Sequence, residues 1–304
     1  MPRGGPSRTA APTLGLMTSA CSVVIPTYNA AGVIGGQLAA LARQSYAAPF
    51  EVVVADNGST DRLEQALDPW RARLPLLRRV DASRDRGVSV ARNVGIAAAS
   101  SDRILICDAD DVVSDGWVAA LMGALDANPF VGGAVETVEL SGPSAAWVPV
   151  EARSSELPRT WQDRPYPFGG NTGMWREVFD RVGGYDETYP AGAEEIDFAW
   201  RAADLGYHAA YVPEALLHYR IRTDLRGVMR QQFNSGRGTA TLYAKFRPAE
   251  VTPKSWHRRL RHEARLLAGF PWRGGPDARR AWACVLAFES GKLREARTLG
   301  VPAP

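Results

Sequence analysis

Three carboxylates stand close together in the middle of this 304-residue chain, at Asp108, Asp110 and Asp111. Carboxylates this close repel one another unless a cation lies among them. Oxygen ligands favour a hard ion, Mg²⁺ or Mn²⁺, and Mg²⁺ usually takes one or two carboxylates together with water and phosphate oxygens. The cluster therefore predicts a divalent metal site for a diphosphate-bearing substrate. An acidic helix N-terminus would explain Asp111 but not the other two.

A repeated strand-helix pattern positions this cluster. Apolar, β-branched runs predict strands over 21–26, 51–56, 76–80 and 103–108, and helical spacing predicts helices over 32–44, 60–71, 88–99 and 117–125. Strands that alternate with helices predict a mainly parallel sheet with helices on both faces, so we expect a doubly wound α/β fold. Residues 132–167, which include Trp147 and Trp161, are left unassigned. Further helices are predicted over 176–182 and 198–205 and, apart from a loop near 271–276, beyond residue 220.

The predicted strands end in polar residues. The carboxyl ends of parallel strands meet at one edge of a sheet, which is where ligands bind in such folds. These ends are Pro26-Thr27-Tyr28-Asn29, Asp56-Asn57-Gly58, Asp81 with Ser83, and the aspartate cluster. Turn and cap chemistry does not explain Asp56, so we predict a functional role for it. The chain has no GxGxxG after the first strand and no GxxxxGK[ST], which argues against a dinucleotide or P-loop site.

The charge is divided unevenly along the chain. Residues 1–219 carry 18 basic and 27 acidic side chains, whereas residues 220–304 carry 18 and 6. Such a basic part can meet the phosphates of a lipid, a membrane surface or a nucleic acid, although charge alone favours a solvated helical surface. For the part after Arg220 we predict a role in acceptor docking or in peripheral contact with a membrane. The tryptophans of this part do not form a recognisable RNA-binding motif, so nucleic acid is disfavoured; they are Trp256, Trp272 and Trp282.

Composition excludes several other classes of protein. The three cysteines are widely spaced and form no CxxC or Cys/His cluster, which argues against a disulfide scaffold and a structural zinc site. No apolar stretch approaches the roughly 20 residues that span a bilayer. Residues 1–20 lack the apolar core of a signal peptide and are predicted to be a flexible tail. We expect a cytoplasmic protein, with the inner face of the membrane as an alternative location.

Six motifs, in order, resemble those of family 2 glycosyltransferases. They are VVIPTYN at 23–29, DNGSTD at 56–61, Arg86-Gly87 with Ala91-Arg92-Asn93, DADD at 108–111, GGYD at 183–186 and EEID at 194–197. The resemblance covers about residues 21–220. It implies a GT-A-type fold, a divalent metal, Mg²⁺ or Mn²⁺, and transfer of a sugar, with inversion, from a nucleotide-diphosphate sugar to an acceptor hydroxyl of a small molecule, a glycan or a lipid-linked compound.

The resemblance also assigns roles to individual residues. The nucleotide base would meet Pro26, Thr27, Tyr28, Asp56 and Asn57. Arg92 and Asn93 would lie near the donor. Asp108 and Asp110 would form the DxD motif, with Asp110 as the best metal ligand. His218 matches a histidine that completes the metal site in some relatives, although a lone histidine is equally often structural.

The second acidic motif would supply the catalytic base. Inversion by direct displacement needs a carboxylate that takes the proton of the acceptor hydroxyl, and Glu195 is the predicted base. Glu194 and Asp197 compete for the role, but Glu194 also fits an orienting place and Asp197 could pair with an arginine or cap a helix.

The chain departs from the family pattern at three points. Asn57 replaces an aspartate of many relatives, which leaves recognition of uracil, thymine or guanine open. Glu195 stands where many relatives have an aspartate, and it is one methylene longer. The QxxRW signature of processive relatives is missing, so transfer of a single sugar is favoured over polymer synthesis.

Two other functions compete with glycosyl transfer. A sugar-1-phosphate nucleotidyltransferase also uses paired aspartates on an α/β sheet, but it has a Gly-rich, basic loop after the first strand that the PTYN segment does not supply. A non-catalytic protein that binds nucleotide sugars or nucleic acid is the other alternative. For the organisation of the chain we predict a tail over 1–20, the catalytic domain over 21–220 and a basic helical extension over 221–304.

Overall fold

The computed structural model describes residues 19–141, 153–190, 192–247, 261 and 264–304. Nearly all of the predicted tail over 1–20 lies outside these ranges, as do Trp147 and Trp256. Within them, no helix has both the length and the apolar character needed to cross a bilayer.

One eight-stranded sheet organises the described residues, in the spatial order β3-β2-β1-β4-β7-β6-β8-β5. Its strands are β1 Ser22–Thr27, β2 Glu51–Asp56, β3 Leu77–Asp81, β4 Arg103–Cys107, β5 Val112–Val113, β6 Phe130–Glu136, β7 Asn171–Trp175 and β8 Ala210–His218. Strands β1 to β4 pair in parallel, whereas β7 is antiparallel to both of its neighbours. Strand β8 is parallel to β6 and antiparallel to β5. The sheet is therefore mixed, with its parallel part where the sequence predicts it.

Helices cover both faces of this sheet. They are α1 Ile34–Leu41, α2 Leu63–Leu67, α3 Val88–Ala98, α4 Trp117–Leu125, α5 Arg176–Val182, α6 Glu194–Asp204, α7 Leu225–Phe246 and α8 Pro276–Thr298. Successive side chains of a strand point to opposite faces. Val23 and Ile25 accordingly pack in the core beneath α1 and α4, whereas Val24 packs in the core beneath α3, α5 and α6. The prediction of an α/β fold with helices on both faces and a helical C-terminal part is confirmed.

Several elements differ from the sequence-based expectation: strands β5 to β8 are not predicted, and α6 begins at Glu194, four residues before the predicted helix. Strand β8 is not predicted because Pro213 lies inside it, and proline disfavours a strand interior; the register of β6 against β8 shifts there. The unassigned stretch contains most of β6. The predicted helix over 60–71 is shorter, with α2 passing at Asp68 into one 3-10 turn that contains Pro69.

Helices α7 and α8 run parallel and pack through glycine. Val228 contacts Cys284 near the start of both helices, and Arg237 binds Glu295 further along, with 2.7 Å between Nε and Oε2. A Cβ atom on Gly236 would lie 2.0 Å from the carbonyl oxygen of Phe288. Only glycine therefore fits at this crossing.

Gly236→Ala should lower the free energy of unfolding by about 1–3 kcal/mol, because the added methyl group overpacks the contact between α7 and α8. Gly123→Ala is the matched control: this glycine lies in α4, and the space where its Cβ atom would lie is open. Alanine there should stabilise the protein by up to about 1 kcal/mol. Urea unfolding measures both variants, and equal stability of the two would contradict the packing described.

Candidate active site

Strands β1, β2 and β4 end at one edge of the sheet, where the predicted residues lie. Thr27 pairs in register with Asp56, and Asp56 pairs with Asp81 on β3. Asp108 follows the last residue of β4. The parallel topology therefore gathers the polar strand ends as expected.

The first pocket at this edge has a volume of about 250 Å³. Its wall contains four of the residues predicted to meet the base, namely Pro26, Thr27, Tyr28 and Asn57. Arg86 also lines it, with its guanidinium 4.8 Å from the centre of the Tyr28 ring. A tyrosine face beside a guanidinium is a surface on which a planar base can stack. Arg86 lies in a motif that the sequence identifies, but no site role is predicted for it.

Asn57 builds this pocket by holding the loop after β3. Its Nδ2 donates to the carbonyl oxygens of Ala82 and Asp85, at 2.6 and 2.7 Å. Its Oδ1 accepts from the amide of Gly87 at 2.9 Å. An aspartate could not make the two donor contacts, so the departure from the family pattern has a structural consequence here.

Asp56 does not line the base pocket. Its carboxylate accepts hydrogen bonds from the Ser59 amide at 2.8 Å and from Nε of Arg79 at 3.0 Å. Burial alone would raise the pKa of Asp56, but these hydrogen bonds hold it below its ordinary value. The structure therefore gives Asp56 a partner on the β3 side of the sheet rather than a place beside the base.

A second cleft, of about 390 Å³, adjoins the first pocket, and Val88 lines both. Asp108, Asp110, Glu194 and Glu195 form the acidic part of its lining, which we call the acidic wall. Tyr219 and five residues of the basic C-terminal part, for which the sequence predicts no individual site role, also line the cleft; these five are Arg222, Arg230, Gln231, Asn234 and Ser235. The charge asymmetry of the sequence was the available signal for Arg222 and Arg230.

Arg92 of α3 lies under this cleft and holds its acidic wall together. Its side chain is 4% exposed, and its Nη1 is 2.9 Å from Oε1 of Glu194. Its Nη2 is 3.6 Å from Oδ1 of Asp108. Burial opposes the charge of Arg92, but these two carboxylates raise its pKa above the ordinary value. The arginine is therefore a permanent cation among the carboxylates.

Two glycines allow this close arrangement. A Cβ atom on Gly169 would lie 2.7 Å from Nη2 of Arg92, and one on Gly170 would lie 2.6 Å from Oδ2 of Asp108. The turn before β7 can therefore pass close to both side chains only because these residues have none.

Asp108 and Asp110 fit a divalent cation. Both line the cleft and remain partly exposed, whereas Asp111 is buried and accepts a hydrogen bond from the Arg220 amide at 2.8 Å. Burial and the charge of Asp110 raise the pKa of Asp108 to about 6, although Arg92 opposes the shift. Burial and the charges of Asp108 and Asp110 raise the pKa of Asp111 to about 9. A crowded, partly open set of carboxylate oxygens is the environment that Mg²⁺ and Mn²⁺ prefer.

His218 contacts two glutamates. Its Nδ1 lies 2.6 Å from Oε1 of Glu136 and 3.1 Å from Oε2 of Glu139. Within the described ranges, these three side chains form a group whose ligand atoms lie within 4.8 Å of one another. The structure therefore gives His218 glutamate partners, and its role as a metal ligand beside Asp110 stays a prediction.

The three candidates for the base have different surroundings. Glu195 lines the cleft, and burial together with the charge of Glu194 raises its pKa above the ordinary value. Glu194 lines the cleft too, but it is bound by Arg92. Asp197 is fully buried away from the cleft; Nζ of Lys245 is 2.6 Å from its Oδ1 and Nη2 of Arg201 is 2.7 Å from its Oδ2. The structure therefore leaves Glu195 as the carboxylate best able to receive a proton.

Asn93 lies on another side of α3 from the cleft. Its Nδ2 donates to the carbonyl oxygen of Tyr185 at 2.9 Å, and its Oδ1 accepts from the Tyr185 amide at 2.8 Å. Of the predicted pair, Arg92 lines the cleft, whereas Asn93 binds the Tyr185 backbone.

The comparisons with known proteins agree with this geometry. The sequence profile of glycosyl transferase family 2 matches residues 22–183, which is more than half of the chain. The chain belongs to glycosyl transferase family 2. The predicted family is thereby confirmed.

Glycosyltransferases recur among the relatives. The pre-mycofactocin glycosyltransferase of Mycobacterium tuberculosis is 28% identical over 76% of this chain and 49% of its own length, so the chain spans about half of that relative. Glycosyltransferase AglE of Haloferax volcanii is 24% identical over 90% of this chain and 94% of its own length. The mannosyltransferase PcManGT of Pyrobaculum calidifontis, solved with GDP-Man and Mn²⁺, superposes with a TM-score of 0.58 at 26% identity, covering 92% of this chain and 78% of that one. The GT-A-type fold is confirmed.

Asp197→Asn should lower the free energy of unfolding by about 3 kcal/mol, because it leaves the cations of Arg201 and Lys245 without their buried partner. The folded variant should keep kcat within a few-fold of the unchanged enzyme. Asp204→Asn, on the exposed end of the same helix, is the control and should change stability by less than about 0.5 kcal/mol. Thermal unfolding and kcat are measured for both variants. Unchanged stability of the Asp197 variant together with lost turnover would contradict a structural role for Asp197.

Proposed function

We propose that this protein transfers a single sugar, with inversion, from a nucleotide-diphosphate sugar to a hydroxyl group of a small-molecule, glycan or lipid-linked acceptor. The observation that carries the proposal is the continuity of the two pockets: Val88 lines both the pocket beside Tyr28 and the cleft that holds Asp108, Asp110 and Glu195. In a nucleotide-diphosphate sugar, the base is joined to the diphosphate and the diphosphate to the sugar. The pocket beside Tyr28, the aspartate pair and Glu195 would meet these three parts in the same order. The bound GDP-Man and Mn²⁺ of PcManGT support this assignment.

The base pocket would orient the donor. The ring of Tyr28 and the guanidinium of Arg86 offer a stacking surface, and Asn57 fixes the loop that carries Arg86. Binding energy from a part of the donor that does not react can then hold the reacting carbon in place.

Asp108 and Asp110 would hold Mg²⁺ or Mn²⁺. A bound divalent cation supplies positive charge that stabilises a departing diphosphate. The chain also provides Arg222, whose Nη2 lies 3.9 Å from Oδ2 of Asp110, and Arg230, which also lines the cleft. Both guanidinium groups can approach phosphate oxygens there.

Glu195 would act as the general base. Its carboxylate takes the proton of the acceptor hydroxyl while the new bond to the anomeric carbon forms, and the electron pair of the breaking bond leaves with the diphosphate. Glu194 cannot do this while Arg92 holds it, so it orients the acidic wall. Because the pKa of Glu195 is raised, the rate should increase with pH as this group loses its proton.

Asp110→Ala should abolish Mn²⁺-dependent binding of a nucleoside diphosphate, because it removes a proposed metal ligand from the cleft. The melting temperature should stay near that of the unchanged protein, since Asp110 is partly exposed. The donor is first chosen from a thermal-shift panel of UDP, GDP and dTDP sugars. Calorimetry then compares this variant with Asp115→Ala, an exposed aspartate nearby in sequence. Equal affinity in both variants would exclude the proposed metal site.

Glu195→Gln should reduce kcat by about 10²–10⁴-fold, the usual cost of losing a general base, while donor binding stays near normal. Glu214→Gln makes the same chemical change at an exposed strand position and should leave turnover unchanged. The assay is release of the nucleoside diphosphate in the presence of acceptor. Wild-type turnover by the Glu195 variant would assign the base elsewhere.

A further inference from the structure

The end of a helical stretch over 264–268 and the turn that follows it carry exposed apolar side chains and precede α8. We call residues 266–272 the aromatic turn. Trp272 is 77% exposed, and Leu267, five positions earlier in the sequence, is 60% exposed. Large apolar side chains exposed in one short segment are typical of a surface that contacts something else.

The aromatic turn is anchored rather than loosely attached. The ring of Phe270 lies edge-on to Trp272 at 4.6 Å and to Trp282 of α8 at 5.0 Å. Trp282 donates from Nε1 to the carbonyl oxygen of Leu266 at 2.8 Å. The turn is thereby fixed on the first part of α8 while the Trp272 side chain stays exposed.

Four described arginines flank this turn in the sequence. Arg261, Arg265, Arg273 and Arg279 are exposed, and no carboxylate of the described residues forms an ion pair with any of them. The described acidic group nearest in sequence, Asp277, pairs with Arg280. An apolar centre with a cationic border is complementary to a surface that is apolar inside and negatively charged outside.

The position of the turn connects it with the catalytic cleft. Helices α7 and α8 run parallel, so both begin at the same end, where Val228 contacts Cys284. The aromatic turn immediately precedes α8 at this end, and Arg222, which lines the cleft, immediately precedes α7. The exposed surface and Arg222 of the cleft thus lie at the same end of the helix pair.

We propose that the aromatic turn and its arginines dock this protein onto an anionic phospholipid bilayer. Tryptophan is favoured at the interface between headgroups and acyl chains, and arginine binds lipid phosphates. An aliphatic residue as exposed as Leu267 fits acyl chains better than a nucleic acid, which would use stacking and phosphate contacts. A membrane in this place brings acceptors at the lipid surface close to the cleft.

Flotation of the full chain with lipid vesicles tests the proposal. The protein should float with vesicles of phosphatidylcholine and phosphatidylglycerol at low salt, float poorly with phosphatidylcholine alone, and dissociate at high salt. Leu267→Ser and Trp272→Ser should each weaken binding about tenfold, because less apolar surface enters the interface. Arg273→Gln should weaken it about fivefold.

Two control variants separate this surface from general effects. Leu205→Ser removes an exposed leucine at the end of α6, and Arg62→Gln removes an exposed arginine beside α2. Both should bind vesicles like the unchanged protein. All variants should keep their affinity for the nucleoside diphosphate, since none lies in the cleft.

Absence of binding to the anionic vesicles would overturn the proposal, as would equal losses in the control and surface variants. Binding of single-stranded RNA that depends on Trp272 and competes with the vesicles would assign the surface to nucleic acid instead. Donor affinity is measured on the same samples. A failure of vesicle binding with intact donor affinity therefore contradicts the docking surface and leaves the proposed glycosyl transfer untouched.

Discussion

The arrangement of the cleft depends on one buried guanidinium. Arg92 binds Glu194, which is 102 positions away in sequence, and lies close to Asp108 at the end of β4. Without a cation at this point, the carboxylates of the two acidic motifs would repel each other in a partly desolvated space. The arginine therefore allows α6 and the end of β4 to approach, and Gly169 and Gly170 leave room for the contact.

The close approach of these carboxylates also changes their acidity. The pKa values of Asp108 and Glu195 are raised because burial and neighbouring carboxylates disfavour their ionised forms. At Asp108 and Asp110 the crowding favours a divalent cation, and at Glu195 it favours a proton acceptor of raised basicity. Arg92 also distinguishes the two glutamates: it forms an ion pair with Glu194 but not with Glu195, which is the proposed general base.

The basic C-terminal part lines the site and is not only a solvated surface. Lys245 ties α7 to Asp197 of α6, and glycine packing ties α7 to α8. Arg230 of α7 and Arg222 just before this helix line the same cleft as the acidic side chains. The positive charge of the C-terminal part is therefore divided between the cleft and the exposed surface around Trp272.

The sequence by itself determined the parallel strands β1 to β4 and the edge of the sheet at which the polar residues lie. Runs such as VVIP and EVVVAD have the apolar, β-branched composition of buried strands, and parallel topology then brings their polar ends to one edge. Sequence also identified Thr27, Tyr28, Asp108, Asp110 and Glu195, because each belongs to a short motif. Strand β8 was not predicted because Pro213 lies inside it, and its pairing with β6 depends on a shift in register.

Only the tertiary structure decided which polar side chains face the cleft. Asp56 meets Arg79, Asn93 meets Tyr185 and His218 meets Glu136, and each of these partners comes from another element. Asp197 lies two positions from Glu195 yet faces Lys245 from the far end of α7. Motif membership fixes where a residue lies along the chain, whereas its direction and ion-pair partner depend on how distant elements pack. For the same reason, the place of Arg222 and Arg230 in the lining became visible only when α7 was placed against the cleft.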